Sequence, residues 1–337
     1  MWFAKENVEF SQPDDLEQQV KELKKSRILL TGVQGQVGFE LVKSLGTCGA
    51  ELILAARNTK AIEHLGYPVV ALDLADKIGV QNVVREIKPH IVINPAAYTA
   101  VDKAESDKDQ AYLVNEEAMT ALCEVLKEIK AGLIHFSTDY VYNATHQNPN
   151  VETDVTSPGN VYAASKLAGE RVIANSSIPH IILRTSWVYG TSGNNFVKTM
   201  IKLARERETL GIVSDQVGSP TSAATLAQAV ASILQQGAAD PVGFLLAKQG
   251  IYNISDRGYT TWHDFAVEIF KLARGLGIEL KVNEVKGIKT QDYKTPAARP
   301  LNSRLSLEKL GRELNIVPPT WQQSLGAFLH QSNIKLF

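Results

Sequence analysis

Residues 27–38 read RILLTGVQGQVG, a short apolar run that passes into glycines at positions 32, 35 and 38. The following QVGFELVKSLG, residues 36–46, spaces Val37, Leu41 and Leu45 at helical intervals, so the stretch reads as strand, turn and helix. In that context Gly32 suits a tight turn, Gly35 allows close backbone approach and Gly38 lets helix and sheet meet, while the helix N-terminus faces a dinucleotide pyrophosphate. The spacing GxxGxxG is not the GxGxxG fingerprint, and a tight turn packed near the sheet is the alternative for these glycines.

Working outward, ELILAAR at 51–57, PVVALD at 68–73, KPHIVINPAA at 88–97, LIHFSTDYVY at 133–142 and HIILRTSWVYG at 180–190 are strand candidates, with an amphipathic helix over Ile78 to Ile87. Near-continuous apolar strands separated by helices are what a parallel sheet covered on both faces produces. The expected fold class is α/β, a doubly wound parallel sheet with a smaller C-terminal substrate domain. After Gly190 the regularity changes: helices are expected at 194–206, 222–234 and 260–277, a Gly/Pro-bearing loop at 215–221, and Pro-containing segments near the end. This divides the chain into an extension, residues 1–25, with a polar helix over Asp14 to Lys25; a nucleotide-binding part, 26–190, which also receives part of 212–259; and an interleaved, mainly substrate-binding region, 191–337.

The 337 residues carry 35 basic and 36 acidic side chains, for a formal charge of -1. No global positive field is available to hold nucleic acid or an anionic membrane, so neither is expected as a partner. Cys48 and Cys123 are the sole cysteines, and without a CxxC pair no disulfide framework or thiolate zinc site is expected, nor any other metal site. The extension lacks an apolar signal core and no run of 18 apolar residues occurs, which points to a cytoplasmic protein.

Where a ribose-binding acid would close the second strand, the chain has Arg57 and Asn58. An arginine there can pair with a 2'-phosphate, which favours NADP over NAD; an ordinary solvated arginine is the alternative. Asp73 closes the third strand and can accept from an adenine amino group or cap a helix. YAASK at 162–166 places Tyr162 and Lys166 four apart on one helix face, where an ammonium favours the phenolate of its neighbour. FSTDY at 136–140 puts Ser137 and Thr138 at the C-terminal end of a strand, where doubly wound folds bind ligands. His135, inside that strand, reads as a satisfied core residue.

Together with NPAAYTAVDKAE at 94–105, Asn115, LRTSWVYG, NNFVKTM, DQVGSPT and RPLNSRL, these motifs resemble the extended short-chain dehydrogenase/reductases, and within them the dTDP-4-dehydrorhamnose reductases, from about residue 27 to 310. The resemblance implies a Rossmann-like fold and the catalytic trio Thr138, Tyr162 and Lys166. It implies a cofactor side that adds Gln34, Gln36, Val37, Leu74, Ala96, Ala97, Tyr98 and Asn115 to the glycines, Arg57, Asn58 and Asp73. It places Trp187, Val101 and Asp102 beside the sugar, and Asn195, Phe196, Lys198, Gln216, Arg299 and Asn302 on the nucleotide-sugar side. The expected reaction is reduction of the C4 ketone of a dTDP-linked 4-keto-6-deoxy sugar with NADPH, NADH being an option, in a chain that can be a homodimer. Two alternatives stay open: another nucleotide-sugar reductase or epimerase, and a non-catalytic NADP-binding regulatory subunit like that of methionine adenosyltransferase. The extension, the loop YNATHQNPNVETD at 142–154 and Ala163 after the tyrosine depart from the family pattern.

Overall fold

The computed structural model describes Leu23 and residues 26–61, 65–142 and 146–331. The first strand, β1 (Arg27–Leu30), leads through the glycine turn into α1 (Gln36–Leu45). Then come β2 (Glu51–Ala56), β3 (Val69–Ala71), α2 (Lys77–Ile87) and β4 (Ile91–Asn94). A short helix, α3 (Val101–Ala104), precedes α4 (Lys108–Tyr112), a π-helical turn at Leu113–Glu117, and α5 (Ala118–Ile129). The strand β5 (Gly132–Thr138), α6 (Val161–Asn175) and β6 (His180–Thr185) complete this half.

Beyond it lie β7 (Val188–Tyr189), α7 (Phe196–Glu206), β8 (Thr209–Val213), β9 (Val217–Gly218), β10 (Thr221–Ser222), α8 (Ala223–Gln236) and α9 (Pro241–Ala247). The chain ends with β11 (Gly250–Asn253), β12 (Thr260–Thr261), α10 (Trp262–Gly275), β13 (Glu284–Ile288), β14 (Asn302–Ser303), α11 (Glu308–Leu314) and α12 (Trp321–Gln331).

Seven strands form one parallel sheet in the order β11-β6-β5-β4-β1-β2-β3. All seven residues of β5 are buried, as a strand covered on both faces requires. On one face α1, α8, α9 and α11 close a core with Leu30, Leu41, Leu54 and Leu226; on the other, α2, α5 and α6 close a second with Leu29, Val84, Val92 and Leu122. A third core, with Ile201, Ile212, Phe265 and Phe328, holds α7, α10 and α12 beside the parallel pair β8–β13. The doubly wound class is therefore observed. Successive connections run one way from β1 to β2 and β3 and the other way from β4 outward, so the strand order reverses between β1 and β4. Ligands of such sheets sit outside the carboxyl ends at that point.

The interleaving extends to β11, which returns from residue 250 to extend the large sheet beside β6. Neither β11 nor the pair β8–β13 is among the expected strands, and the helices at 101–129 were not among the expected helices, although Met119, Leu122, Cys123 and Leu126 form one buried face. The expected strand at 180–190 breaks at Ser186 and Trp187 into β6 and β7, because Trp187 has φ +48, a left-handed conformation that ends extended pairing. The polar helix expected over Asp14 to Lys25 lies outside the described residues except at Leu23. That residue anchors the segment, since its side chain is fully buried in the first core. Leu23→Ala is therefore expected to destabilise the protein by about 2–5 kcal/mol through lost transfer energy and an unfilled cavity. Urea unfolding followed by circular dichroism checks this, and an unchanged midpoint would refute the anchoring role.

Candidate active site

The carboxyl ends of β1, β4, β5 and β6 open into a cleft of about 1010 Å³. Its floor depends on Gly32. This residue has φ +60, and a Cβ there would come within 2.8 Å of the Ala96 backbone nitrogen, so a side chain is excluded by both conformation and contact. Gly38 is equally constrained, since its Cβ would lie 2.1 Å from the Gly32 carbonyl oxygen. The first turn of α1 has no side-chain cap and no acidic residue. Its backbone N–H groups are thus presented to the cleft, an arrangement that suits a phosphate.

Gly32, Gln34, Gly35, Gln36, Val37 and Gly38 all line this end, with Arg57, Asp73, Leu74, Ala96, Ala97 and Tyr98. Arg57 is exposed just past β2 and can swing toward a ribose phosphate. Asp73 accepts from the Ala75 N–H at 3.0 Å and so braces its own turn, while the helix cap weighed for it falls to Asp76, which accepts from Gly79. Asn58 is exposed and does not line the cleft.

Thr138, Tyr162 and Lys166 meet on one wall of the cleft, Tyr162 being hydrogen-bonded to Thr138 and Lys166 following one turn later on α6, and Val101 and Trp187 also line it. Thr138 ends β5, and its hydroxyl donates to Asp139 Oδ1 at 3.2 Å while accepting from the Tyr140 N–H. Asn160 caps α6 by accepting from Ala163, and that cap sets the helix phase that carries Tyr162 and Lys166 to the cleft. Lys166 is 2% exposed, and its Nζ donates to the Phe136 carbonyl at 2.7 Å and lies 3.0 Å from His135 Nε2. Burial pulls its pKa down to about 8, opposed by the charge of Glu170. Desolvation pushes the Tyr162 phenol up to about 12; a hydrogen bond with Thr138 acts against this and the Asp139 carboxylate adds to it. The phenol is therefore held protonated. The Tyr140 ring meets it edge-on at 6.2 Å.

Several cleft residues were not anticipated from sequence. Trp262, at the start of α10, stacks on Trp187 at 3.6 Å and donates from its indole to Gln216. Asp139 is buried, and desolvation pushes it up to about 7 although Ser303, Thr138 and backbone hydrogen bonds oppose the shift. Thr185, also not anticipated, and Ser137, which the sequence did place at this strand end, line the cleft too, and their buried hydroxyls have no partner among the described residues. Unpaired buried polar atoms are rare, which sets these positions in the cleft wall apart from ordinary core.

The remaining expected residues lie outside the cleft lining. Asn115 is buried, accepting from the Tyr98 N–H and donating to the Tyr98 carbonyl and to Ser165, so it clamps the loop after β4 to α6. Asp102 pairs with Arg299 at 2.8 Å and also accepts from the Ala297 N–H. Partial burial works against its charge, but Arg299 and Ala297 hold its carboxyl below the usual range. Asn195 caps α7 and donates to Gln36, Phe196 packs on Trp262, and Lys198 donates to the Thr191 and Gly193 carbonyls. Gln216 bridges Trp262 and Thr290, and Asn302 donates to the carbonyls of His146 and Asn148. Among the described residues no group of three or more His, Cys, Asp or Glu is placed to hold a metal, and no helix is long and apolar enough to cross a membrane.

The strand order, the glycine turn at the switch point and a helix-borne Tyr/Lys pair beside a strand-end threonine define the extended short-chain dehydrogenase/reductase class. A family model described as the RmlD substrate binding domain matches residues 26–334, and the chain belongs to this family. It is 41% identical over 304 residues to the dTDP-4-dehydrorhamnose reductase of Shigella flexneri, spanning 90% of this chain and 97% of that protein. It is 42% identical over 295 residues to the enzyme of the same name from Salmonella typhimurium, spanning 88% and 94%. The crystal structure of dTDP-4-dehydrorhamnose reductase from Bacillus anthracis in complex with NADP has a TM-score of 0.78 and 34% identity, covering 91% of this chain and 99% of that one.

The raised pKa of Asp139 has a consequence for stability. A carboxyl that titrates near 4 when unfolded and near 7 when folded contributes stability that is fully present below about pH 4 and is lost as pH rises through 7. Asp139→Asn is expected to leave the melting temperature near pH 4 unchanged and to raise stability at pH 8 by about 2–4 kcal/mol. Calorimetry across that range is the check, and a variant equally destabilised at both pH values would contradict it.

Proposed function

We propose that the protein reduces the C4 ketone of dTDP-4-dehydro-L-rhamnose to dTDP-L-rhamnose with NADPH. The observation that carries this reading is the convergence of Thr138, Tyr162 and Lys166 on one wall of the cleft that the glycine turn floors. The family and its named relatives support the substrate class, and the NADP complex of a relative supports the cofactor. The cradle fits that cofactor: Gly32 and Gly38 leave no room for side chains, the uncapped α1 N-terminus suits a pyrophosphate, and Arg57 stands where a 2'-phosphate needs a cation.

When bound, NADPH supplies the hydride. The protein's own part is to hold the ketone and to meet the negative charge that grows on its oxygen. Tyr162, kept protonated by its dry surroundings, donates its phenolic proton to that oxygen. The Thr138 hydroxyl donates a second hydrogen bond to the same atom, which requires it to turn away from Asp139. Lys166, anchored by the Phe136 carbonyl, places a positive charge beside the phenol and lowers the cost of the phenolate left behind. Trp187 offers an aromatic face for the apolar side of a 6-deoxy sugar. We assign the third core, with the segment around Arg299 and Asn302, to the nucleotide-sugar side, and residues 26–190 with part of 212–259 to the cofactor side.

Tyr162→Phe is expected to lower turnover by about 10²–10⁴-fold while leaving NADPH affinity nearly intact; stopped-flow reduction and fluorescence titration separate the two, and retained turnover would overturn the assignment. Arg57→Ala is expected to weaken NADPH by roughly tenfold or more and NADH hardly at all, since only one carries the phosphate. Equal losses for both cofactors would reject that role. The direct test is incubation with freshly generated dTDP-4-dehydro-L-rhamnose and NADPH, with product mass and sugar stereochemistry as readouts. Absence of NADPH oxidation despite demonstrated binding of cofactor and dTDP would favour a regulatory subunit, and turnover confined to a UDP-linked sugar a different reductase.

A further inference from the structure

Behind the catalytic wall a line of buried polar side chains crosses three strands. Lys166 Nζ lies 3.0 Å from His135 Nε2, His135 Nδ1 lies 3.1 Å from Asn94 Nδ2, and Asn94 Oδ1 lies 2.5 Å from Thr31 Oγ1. Each is at most 2% exposed. Asn94 and His135 are register partners on β4 and β5, and Thr31 follows β1 at the mouth of the glycine turn. A purely apolar sheet core would be cheaper at these positions, because each buried polar group needs a partner.

The geometry limits where protons can sit. An ammonium at Lys166 needs a bare Nε2, so a neutral His135 carries its one proton on Nδ1 and the Asn94 amide turns its oxygen to the ring. A neutral amine at Lys166 accepts from Nε2–H instead, and then Nδ1 accepts from the Asn94 nitrogen. The amide has the same outline either way round, so the two orders need no movement of the backbone and differ by one weak bond, from Asn94 Nδ2 to Met119 Sδ at 3.4 Å. We propose that His135 is a positioning residue for Lys166, and that the chain Lys166–His135–Asn94–Thr31 sets the charge of the lysine by the order of its protons. Burial and the nearby ammonium keep His135 itself neutral, pulling its pKa well down. Of the other charged or titratable groups, Glu170 on α6 acts on the lysine by its charge, Tyr162 lies one turn before it on the same helix, Asp139 after β5 acts on Tyr162, and Arg184 is on β6. Arg184 and Glu170 are engaged with each other at 2.6 Å. His135 is thus the titratable side chain that bonds Nζ directly.

The catalytic consequence rests on the reductase reading above, and the chain itself does not. His135→Gln keeps a polar atom near the place of Nε2, whereas His135→Asn reaches only the place of Nδ1. With an ammonium required for turnover, activity falls as pH rises through the lysine pKa. His135→Asn is expected to move this alkaline limb of kcat/KM down by about one pH unit and to slow the reaction about tenfold at pH 8, with His135→Gln recovering most of both. Asn94→Asp forces the ring proton onto Nδ1 and is expected to move the limb upward. The same shifts are read without turnover from the ¹³Cε resonance of Lys166 in lysine-labelled protein, identified by its loss in Lys166→Met. If no sugar nucleotide is reduced but the resonance shifts as stated, the chain stands and the reaction assignment fails. Equal titration of Lys166 in wild type and all three variants, or equal shifts in His135→Asn and His135→Gln, would overturn the proposal.

Discussion

The contact of Gly32 with Ala96 is the constraint on which the cleft depends. At this point the chain leaves β1 for α1, and the loop after β4 passes so near that the Cβ of any other residue would come within 2.8 Å of backbone. The two loops touch, and the uncapped first turn of α1 lines the cleft beside that contact. Gly38 applies the same rule one turn later, where the helix rests on the Gly32 carbonyl. A parallel sheet with reversing strand order provides a crevice in any case; missing side chains turn it into one that can admit a pyrophosphate.

At the other end the controlling effect is desolvation. Lys166, Tyr162 and Asp139 all have pKa values moved toward their neutral forms, with burial the largest cause for each. Opposing this are fixed dipoles, such as the Phe136 carbonyl on the lysine. One turn along α6, Glu170 makes a two-pronged contact with Arg184 of β6, and Arg184 also lies over the Tyr142 ring at 4.7 Å. That pair ties the helix to the sheet, and the positions of Tyr162 and Lys166 relative to Thr138 follow. Removing one partner of so buried a pair leaves an uncompensated charge.

The strands β1, β2, β4 and β5 were legible in the sequence because burial on both faces makes them continuous apolar runs. The glycine turn was legible because three glycines between a strand and a helix have few other uses. Tyr162 and Lys166 showed themselves by helical spacing, and Thr138 by its place at a strand end. By contrast, β11 reads GIYN: it opens on Gly250 at φ +137, its first two residues are only partly buried, and no continuous apolar run marks it. Trp262 belongs to an amphipathic helix whose face is ordinary; only the fold brings it over Trp187. His135 sits in an apolar run and looks like core, which it is, yet its partners come from β4 and α6, 41 and 31 residues away. For Asp102 and Arg299, charge was visible in the sequence but not the partner, and each turned out to be bonded to the other.

That ion pair belongs to a longer belt. Residues 297–304 return to the first half of the chain: Arg299 and Ala297 bond Asp102, Ala298 accepts from Asn160, and the Arg304 carbonyl accepts from the backbone and side-chain N–H groups of Asn150. These contacts join residues 138 to 197 positions apart, among the largest loops the chain closes, and contacts of that kind are slow to form. Synthesis from the N-terminus therefore delivers the glycine turn, Thr138, Tyr162 and Lys166 well before the belt that packs on Asp102, Asn150 and Asn160. Because α1 packs in a core that α8 and α11 close, the nucleotide cradle too waits for segments made late, so the completeness of the cleft reports that the whole chain has been made and folded.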